Sequence, residues 1–503
     1  MASIGIIGAG HNGLVCAFYL AGAGHEVTVF ESSRVAGGAC RNESWDCGAT
    51  VSPGANHFGM LHPQIMADMG LDGTTLPIIR ADPQLIVGLG AGESLAIHDD
   101  INRTQSEIAR YSVRDANTLR EFTGDLETVR LAMRARALSL HPSLAEFTSD
   151  LIRAHPRLYS LFIQGSIEAL LDHYFEAPAT KSLFAATSFL YNASPNESGT
   201  AFSLAYLSQF LANGSPGWGV PIGGMGRITD LMQQRIVSRS VRLITGCPVT
   251  EILLRNSAAY GLVTKDKRHW KFDFVVSNVD PYTTYNRLCH SNPVPLDEWA
   301  DPRFSGACAK FNYVASQPPR PVCMSETHEA LAKRSAYVYL PSLEFVHRAH
   351  VSSLTSGYSG EPYYECVSPT GFDPSLARDR THVVSLFVLF AHYDEIVLWT
   401  AEARRIRKLE VFNALLSKLR TEPNDIVQAE FLDPVDIEVK FGMYKGNVDH
   451  GAQLITNIFE HRIVDTRAGI DRLYVCGSGS YPGGLVSGVP GYVTAHRLIE
   501  SLQ

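Results

Sequence analysis

Short apolar runs alternate with amphipathic stretches along most of this chain. Ser3-Ile4-Gly5-Ile6-Ile7 is an apolar run that stops at a glycine, a pattern that predicts a strand buried on both faces of a parallel sheet. Helical spacing follows from Leu14 to Ala23, Gly24-His25 breaks it, and Glu26-Val27-Thr28-Val29-Phe30-Glu31 reads as a second strand ending in an acid. Strand, helix and strand in about 30 residues make a βαβ unit. From about residue 105 to 212 the pattern is mainly helical, with apolar residues three and four apart, as in Leu151 to Leu161 and Ala201 to Leu211. Strands are expected again at Val241–Ile244, Val249–Leu254 and Phe272–Ser277, and in a strand-rich block from about 305 to 395. Helix Ala401–Leu419, strand Leu473–Cys476, loop Gly477–Gly488 and helix Tyr492–Leu502 complete the reading.

With 503 residues, the chain exceeds one ordinary core and is expected to form two domains. No internal repeat or low-complexity linker divides it, so the domains are expected to interleave. The fold class is α/β, α+β overall, beginning with a Rossmann-type unit. Hydrophobic residues at 45% and charged residues at 19% exclude a disordered chain. A net charge of -8 gives no electrostatic footprint for nucleic acid, and the densest basic run, Arg404 to Lys408, reads as one exposed helix face. Nine scattered cysteines without a Cys-x-x-Cys pair argue for reduced thiols and against a metal site. The longest apolar run, Val383 to Ala391, is strand-length, so no transmembrane helix is expected. No basic segment precedes the first strand, which suggests a cytoplasmic location; peripheral membrane contact stays open.

Gly8-Ala9-Gly10-His11-Asn12-Gly13 links the first strand to the first helix. Gly8 permits a tight turn, Gly10 lets the backbone approach a pyrophosphate, and Gly13 lets helix and strand pack closely. The helix N-terminus offers N–H groups and a positive dipole end to the phosphates. Glu31 is placed to accept from a ribose 2′-OH. Gly37-Gly38 follows it six residues later, as in flavoproteins whose loop crosses the pyrophosphate. Gly88-Leu89-Gly90-Ala91-Gly92 has the wrong spacing and no following helix, and Gly477-Ser478-Gly479 lies too late for another nucleotide domain. One dinucleotide is therefore expected, bound without a covalent link: FAD, with no second site for a nicotinamide. A helix N-terminus near Gly488 to Gly491 can stabilise negative charge on a reduced flavin.

Six ordered motifs resemble the phytoene desaturase-like flavoproteins and, within them, the pyridine nucleotide-disulfide oxidoreductase domain-containing protein 2 branch. They are Gly8 to Leu14, Leu61 to Ile65, Gly223-Gly224-Met225-Gly226, Val276 to Pro281, Phe441-Gly442 with Gly446 to Gly451, and Cys476 to Gly479 with Pro482-Gly483-Gly484 and Gly488. The resemblance implies the amine oxidase/phytoene desaturase architecture. Its FAD-binding domain would comprise 1–75, 215–285 and 440–503. A substrate domain of mixed sheet and helices would comprise 76–214 and 286–439, with a helical subdomain at about 105–212. It implies that Val249 offers backbone atoms to the adenine, and that two hydrogens leave a C–C or C–N bond, hydride going to flavin N5. Ala9, Asn12, Ser32, Arg34, Ala39, Asn278, Ser478, Gly488 and Val489 complete the expected cofactor-binding set. Many relatives carry an aromatic or aliphatic residue where Asp449 stands and an acid where Ala452 stands, and the stretch around Cys40 to Cys47 is altered; the acid at 449 argues against a purely hydrocarbon substrate.

The reaction also needs an acceptor for the departing proton. Asp449 and His450 are the expected catalytic pair, because the resemblance puts their loop near the ring. Lys445 reads as a solvated side chain, His57 as structural, and His11 as part of the phosphate loop. Phe189, Tyr191, Phe202, Tyr206 and Phe210 have near-helical spacing and read as core. Cys476 reads as unlinked to flavin. Three functions are weighed: a dehydrogenase or desaturase of a small or lipophilic intermediate, with oxygen, a quinone or a protein as electron acceptor; an amine oxidase in which Asp449 holds the substrate ammonium; and a non-redox lipid-binding escort of the same fold. The intact phosphate loop and Glu31 argue against the third.

Overall fold

A computed structural model describes residues 1–188, 193–208, 218–289, 305–322, 324–393, 400–451, 454–462 and 469–503. The βαβ pattern becomes strand Ser3–Ile7, helix His11–Gly22 and strand Glu26–Phe30. These two strands centre a five-stranded parallel sheet in the order Leu473–Val475, Phe274–Ser277, Ser3–Ile7, Glu26–Phe30, Arg242–Ile244. Its strands come from three distant stretches of sequence. Alternate residues face opposite ways. Ile4, Ile6, Val27, Val29 and Val276 pack with helices His11–Gly22, Gly226–Val237 and Val489–Ser501. Ile7, Phe30, Val275 and Leu473 pack with Ile252, Leu262 and neighbours of a three-stranded antiparallel sheet, Val249–Arg255, Ala258–Thr264 and His269–Lys271.

The second large sheet has seven strands in the order Ile426–Leu432, Cys308–Ala315, His382–Ala391, Tyr358–Val367, Ala336–Tyr339, Leu85–Gly90, Glu93–Ile97. Every pairing in it is antiparallel except that of Ala336–Tyr339 with Leu85–Gly90. A helical cluster lies against it. Its longest member, Val113–Arg134, begins at Ser112, whose hydroxyl accepts from Asp115 N–H at 3.1 Å, and buries Ala116, Leu119, Phe122, Leu126, Val129 and Met133 at helical spacing.

Two local expectations change. Gly88 to Gly92, set aside for its spacing and lack of a following helix, lies in a hairpin from Leu85 to Ile97, where Gly90 (φ 101°), Ala91 (φ 52°) and Gly92 (φ 79°) turn the corner. The strand-rich block is interrupted by helix Leu343–Ser356, capped by Ser342 and closed by Gly357 in the left-handed conformation. The first and last helices begin three residues earlier than the apolar spacing indicated, at His11 and Val489. Among the described residues, no helix is long and apolar enough to cross a membrane.

Candidate functional site

The two glycine loops cross. Gly37 N–H donates to Ala9 O at 2.8 Å, and a Cβ on Gly38 (φ 58°) would sit 3.2 Å from Gly10 Cα. A Cβ on Gly13 would collide with the Gly8 carbonyl, and one on Gly10 would meet Asn278 Nδ2 at 2.8 Å. Asn278 therefore lies over the loop. Helix His11–Gly22 starts at Gly10 with no side-chain cap and no acid in its first turn. Helix Val489–Ser501 starts at Gly488, which has no side chain to cap it, and Ser487 Oγ accepts from Val489 N–H at 3.3 Å. The two starts adjoin: Gly491 has room for no Cβ against the Asn12 carbonyl, and a Cβ on Gly488 would lie 3.3 Å from Val15. Two positive dipole ends held together favour an anionic ligand between them.

Glu31 is buried at the end of its strand. Its Oε2 accepts from Ala9 N–H and its Oε1 from Ser33 N–H, both at 2.8 Å, with the Ser32 hydroxyl at 3.2 Å. A carboxylate has about four acceptor positions, so capacity for a ribose hydroxyl remains. Cys247 N–H donates to Glu31 O and Gly246 N–H to Ser33 O, and the Arg34 side chain abuts Gly246. This brings the strand that begins at Val249 to the Glu31 end of the loop. Cys476 is fully buried beside Asn278.

A cavity of about 1140 Å³, counting its mouth, begins at these loops. His11, Ala39 and Ser478 line one side; Lys310, Glu365 and Phe387 line another. His11 is half-buried, but its Nε2 is buried and has no hydrogen-bond partner, and desolvation pushes its pKa down to about 4.

The loop bearing the expected catalytic pair is tied down by Asp280, which accepts from Tyr444 N–H at 3.3 Å, and by Gly306 N–H, which donates to Lys445 O at 2.9 Å. Asp449 lines the cavity. His450 does not: its ring is buried with Nδ1 toward Gly479, and burial, then the Arg462 charge, pushes its pKa down to about 3. The loop thus splits the pair. Lys445 is buried, correcting its reading as solvated. Its positive φ of 51° turns the stem back, leaving Nζ 5.4 Å from the Tyr444 ring centre. Arg462, not singled out from the sequence, is buried; it donates to Asp449 O at 3.0 Å and to Ser478 O.

His57 is also corrected, since it lines the cavity. Its Nδ1 lies 3.4 Å from Glu365 Oε1, to which Asn56 Nδ2 donates at 3.1 Å. Lys310 Nζ donates to Ser385 Oγ at 2.6 Å, and Ser385 Oγ lies 3.2 Å from Asn56 Oδ1. The sequence reading missed Lys310 and Glu365. The available signal was a single charge inside a short, otherwise apolar run, as in Cys308-Ala309-Lys310-Phe311 and Tyr363-Tyr364-Glu365-Cys366-Val367. Phe202 and Tyr206 are core, as read; Phe189, Tyr191, Phe210, Ala452 and Cys323 lie outside the described residues. No grouping of His, Cys, Asp and Glu among the described residues could hold a metal ion.

Crossed glycine loops beneath a cavity shared by the five-stranded and seven-stranded sheets define a dinucleotide-binding protein. Residues 13–489 match the family model described as flavin containing amine oxidoreductase, and the chain belongs to that family. It is 25% identical over 542 aligned positions to pyridine nucleotide-disulfide oxidoreductase domain-containing protein 2 of Mus musculus, covering 99% of this chain and 93% of the relative. It is 23% identical to phytoene desaturase (lycopene-forming) of Pseudescherichia vulneris, over 99% of both chains. The structure of putrescine oxidase bound to putrescine superposes with a TM-score of 0.61 at 16% identity, covering 100% of this chain and 98% of the other. The chain is a phytoene desaturase-like oxidoreductase, and its cofactor is FAD. The residues present fit that group: crossed loops that a Cβ would fill, two adjoining helix starts with glycine at the N-cap, and a buried His11 Nε2 without a partner. This membership sets aside the non-redox escort reading.

Proposed function

We propose that this protein is an FAD-dependent dehydrogenase that removes two hydrogens from adjacent atoms of a small, largely apolar molecule. One observation carries the reading: cofactor-side residues His11, Ala39 and Ser478 share a single, mainly apolar cavity with the substrate-sheet residues Phe387, Lys310 and Glu365. Bound FAD would supply the hydride acceptor. In this reading 1–75, 215–285 and 440–503 form the cofactor domain and the remainder the substrate domain. The loops Gly8–Gly13 and Gly37–Ala39 hold the pyrophosphate through those backbone N–H groups not already given to Phe30, Glu31 and Ala9, and Glu31 holds the ribose. Ser32, Arg34 and Val249 flank the adenosine; Asn278, Gly477, Ser478, Gly488 and Val489 border the rest of the cofactor. Asp449 contacts the substrate, and neutral His450 supports its loop.

Loss of hydrogen from carbon–carbon bonds is favoured over amine oxidation because the Arg462 charge offsets that of Asp449. A substrate ammonium would then find a compensated carboxylate there. Electrons leave to oxygen, a quinone or a protein. Anaerobic mixing of the yellow protein with panels of amines, carrier-tethered acids and isoprenoids tests the reading. Bleaching of the flavin by a non-amine supports it. Bleaching by amines alone overturns the choice of bond, and no bleaching by any compound overturns the reading.

A further inference from the structure

Three side chains in the cavity wall lie far apart in sequence and side by side in space. In the seven-stranded sheet Lys310 pairs with Phe387, and Phe387 pairs with Glu365, on three successive strands. Directly opposed residues share a face, and all three line the cavity. Strands are about 4.8 Å apart, so the row runs cation, aromatic ring, carboxyl over about 10 Å. Lys310 Nζ lies 5.7 Å from the Phe387 ring centre. The row continues into the chain Lys310–Ser385–Asn56–Glu365–His57 described above. Burying a lysine and a carboxyl in an apolar wall is costly, and a cavity is where such groups serve chemistry.

We propose that Glu365, held by Asn56 and flanked by His57 opposite the glycine loops, accepts the proton that the substrate releases when its hydride leaves. This rests on the dehydrogenase reading. One substrate C–H bond breaks with its electron pair leaving as hydride to the flavin. The neighbouring hydrogen leaves as a proton to the Glu365 carboxylate, which becomes a carboxylic acid. The electron pair it leaves behind forms the new double bond.

Two further features support the assignment. Glu365, His57 and Trp218 also line a second cavity of about 1210 Å³, whose other residues include His98, Asp99 and Thr104. Asp99 is exposed, so this second cavity leads from Glu365 toward solvent. Burial pushes Glu365 up to about 7, against the lowering effect of the Asn56 hydrogen bond and the Lys310 charge, which suits an acceptor working near neutrality. The titratable and charged groups around it are Lys310 on its sheet, Tyr363 and Cys366 on its own strand, His57 on the adjoining loop, Asp449 and His11 across the first cavity, and His98, Asp99 and Arg130 in the second. Burial likewise pushes Lys310 down to about 7.

The first test needs no substrate. Dithionite reduction of the yellow protein adds negative charge to the cavity and raises the proton affinity of a nearby carboxyl. The reduced-minus-oxidised infrared spectrum near pH 7 should gain a carboxylic C=O band that Glu365→Gln abolishes and Asp449→Asn keeps. A band that survives Glu365→Gln, one that only Asp449→Asn removes, or no band at all overturns the proposal. If Glu365→Gln does not fold, Glu365→Asp carries the test: the band must shift in frequency, and an unshifted band overturns it. With any compound that bleaches the wild type, Glu365→Gln should slow flavin reduction about 10²–10⁴-fold with FAD retained, and Glu365→Asp should recover part of the rate. An unchanged rate overturns this assignment alone; a panel in which nothing bleaches overturns the dehydrogenase reading and leaves the infrared result to stand by itself.

Discussion

The glycine loops and the seven-stranded sheet meet at one cavity, but they encode their roles in different ways. In the loops the working atoms are backbone N–H groups, and what matters is the side chains that are missing at Gly10, Gly13, Gly37 and Gly38. In the sheet the working atoms are side-chain tips, brought together by cross-strand register at Lys310, Phe387 and Glu365. A site made of backbone should fail outright when a carbon is added. A site made of side-chain tips should respond in grades to changes of charge and length.

The largest expected effect lies in the loops. Gly13→Val has no space for its Cβ beside the Gly8 carbonyl, and overpacking of this kind costs at least about 1–3 kcal/mol. The purified variant should be colourless; a fully yellow protein with normal FAD content would blur the contrast. On the sheet side, Glu365→Gln should change stability with pH. The folded carboxyl keeps its proton up to about 7, whereas the ordinary value is 4.5. The folded wild type therefore binds more protons than the unfolded chain between those values and loses stability as pH rises through them. The amide does not ionise. Thermal unfolding should show wild type and variant alike near pH 4.5 and the variant more stable near pH 8, by about 3 kcal/mol. A variant less stable at pH 8 would mean that ionised Glu365 is well compensated.

Glu31→Ala should weaken FAD retention by about 1.5–3 kcal/mol, the scale of a hydrogen bond to a charged group, and it also removes the acceptor of Ala9 N–H. Unchanged FAD affinity by titration of the apoprotein would remove Glu31 as the ribose ligand. Asp449→Asn should leave a yellow protein reduced by substrate about tenfold more slowly, equivalent to about 1.4 kcal/mol. The smallest effect is expected of His450→Gln, off the cavity lining. A loss of rate exceeding that of Asp449→Asn would return His450 to the reacting atoms.

The same contrast governs what the sequence revealed. Gly8 to Gly13, Glu31 and Gly37-Gly38 sit within thirty-odd residues, and their spacing carries the geometry, so strand, helix and loop were all readable. Lys310, Phe387 and Glu365 are aligned only by the pairing of three long strands, and register over such separations leaves no local pattern. His57 stood out for the glycines on either side of it, but its partner lies more than 300 residues away, and without Glu365 its place at the cavity was not decidable. The Leu85–Ile97 hairpin was hidden because glycines at its turn looked like loop, and Lys445 because burial of a lysine depends on the backbone turn at that residue. Helix Leu343–Ser356 was absorbed into a strand-rich block whose apolar content it shares.

The order of the parallel sheet also bears on how the protein is made. Strand Leu473–Val475 and helix Val489–Ser501 are synthesised long after strand Phe274–Ser277 and helix His11–Gly22, against which they pack. Until Gly491 reaches Asn12, the flank of the first helix that includes Val15 and Cys16 lacks its cover, and only one of the two dipole ends faces the dinucleotide. Closing so long a loop is slow. The nascent chain must therefore carry an uncovered apolar surface until helix Val489–Ser501 has been made, and tight capture of the flavin waits for that helix to dock.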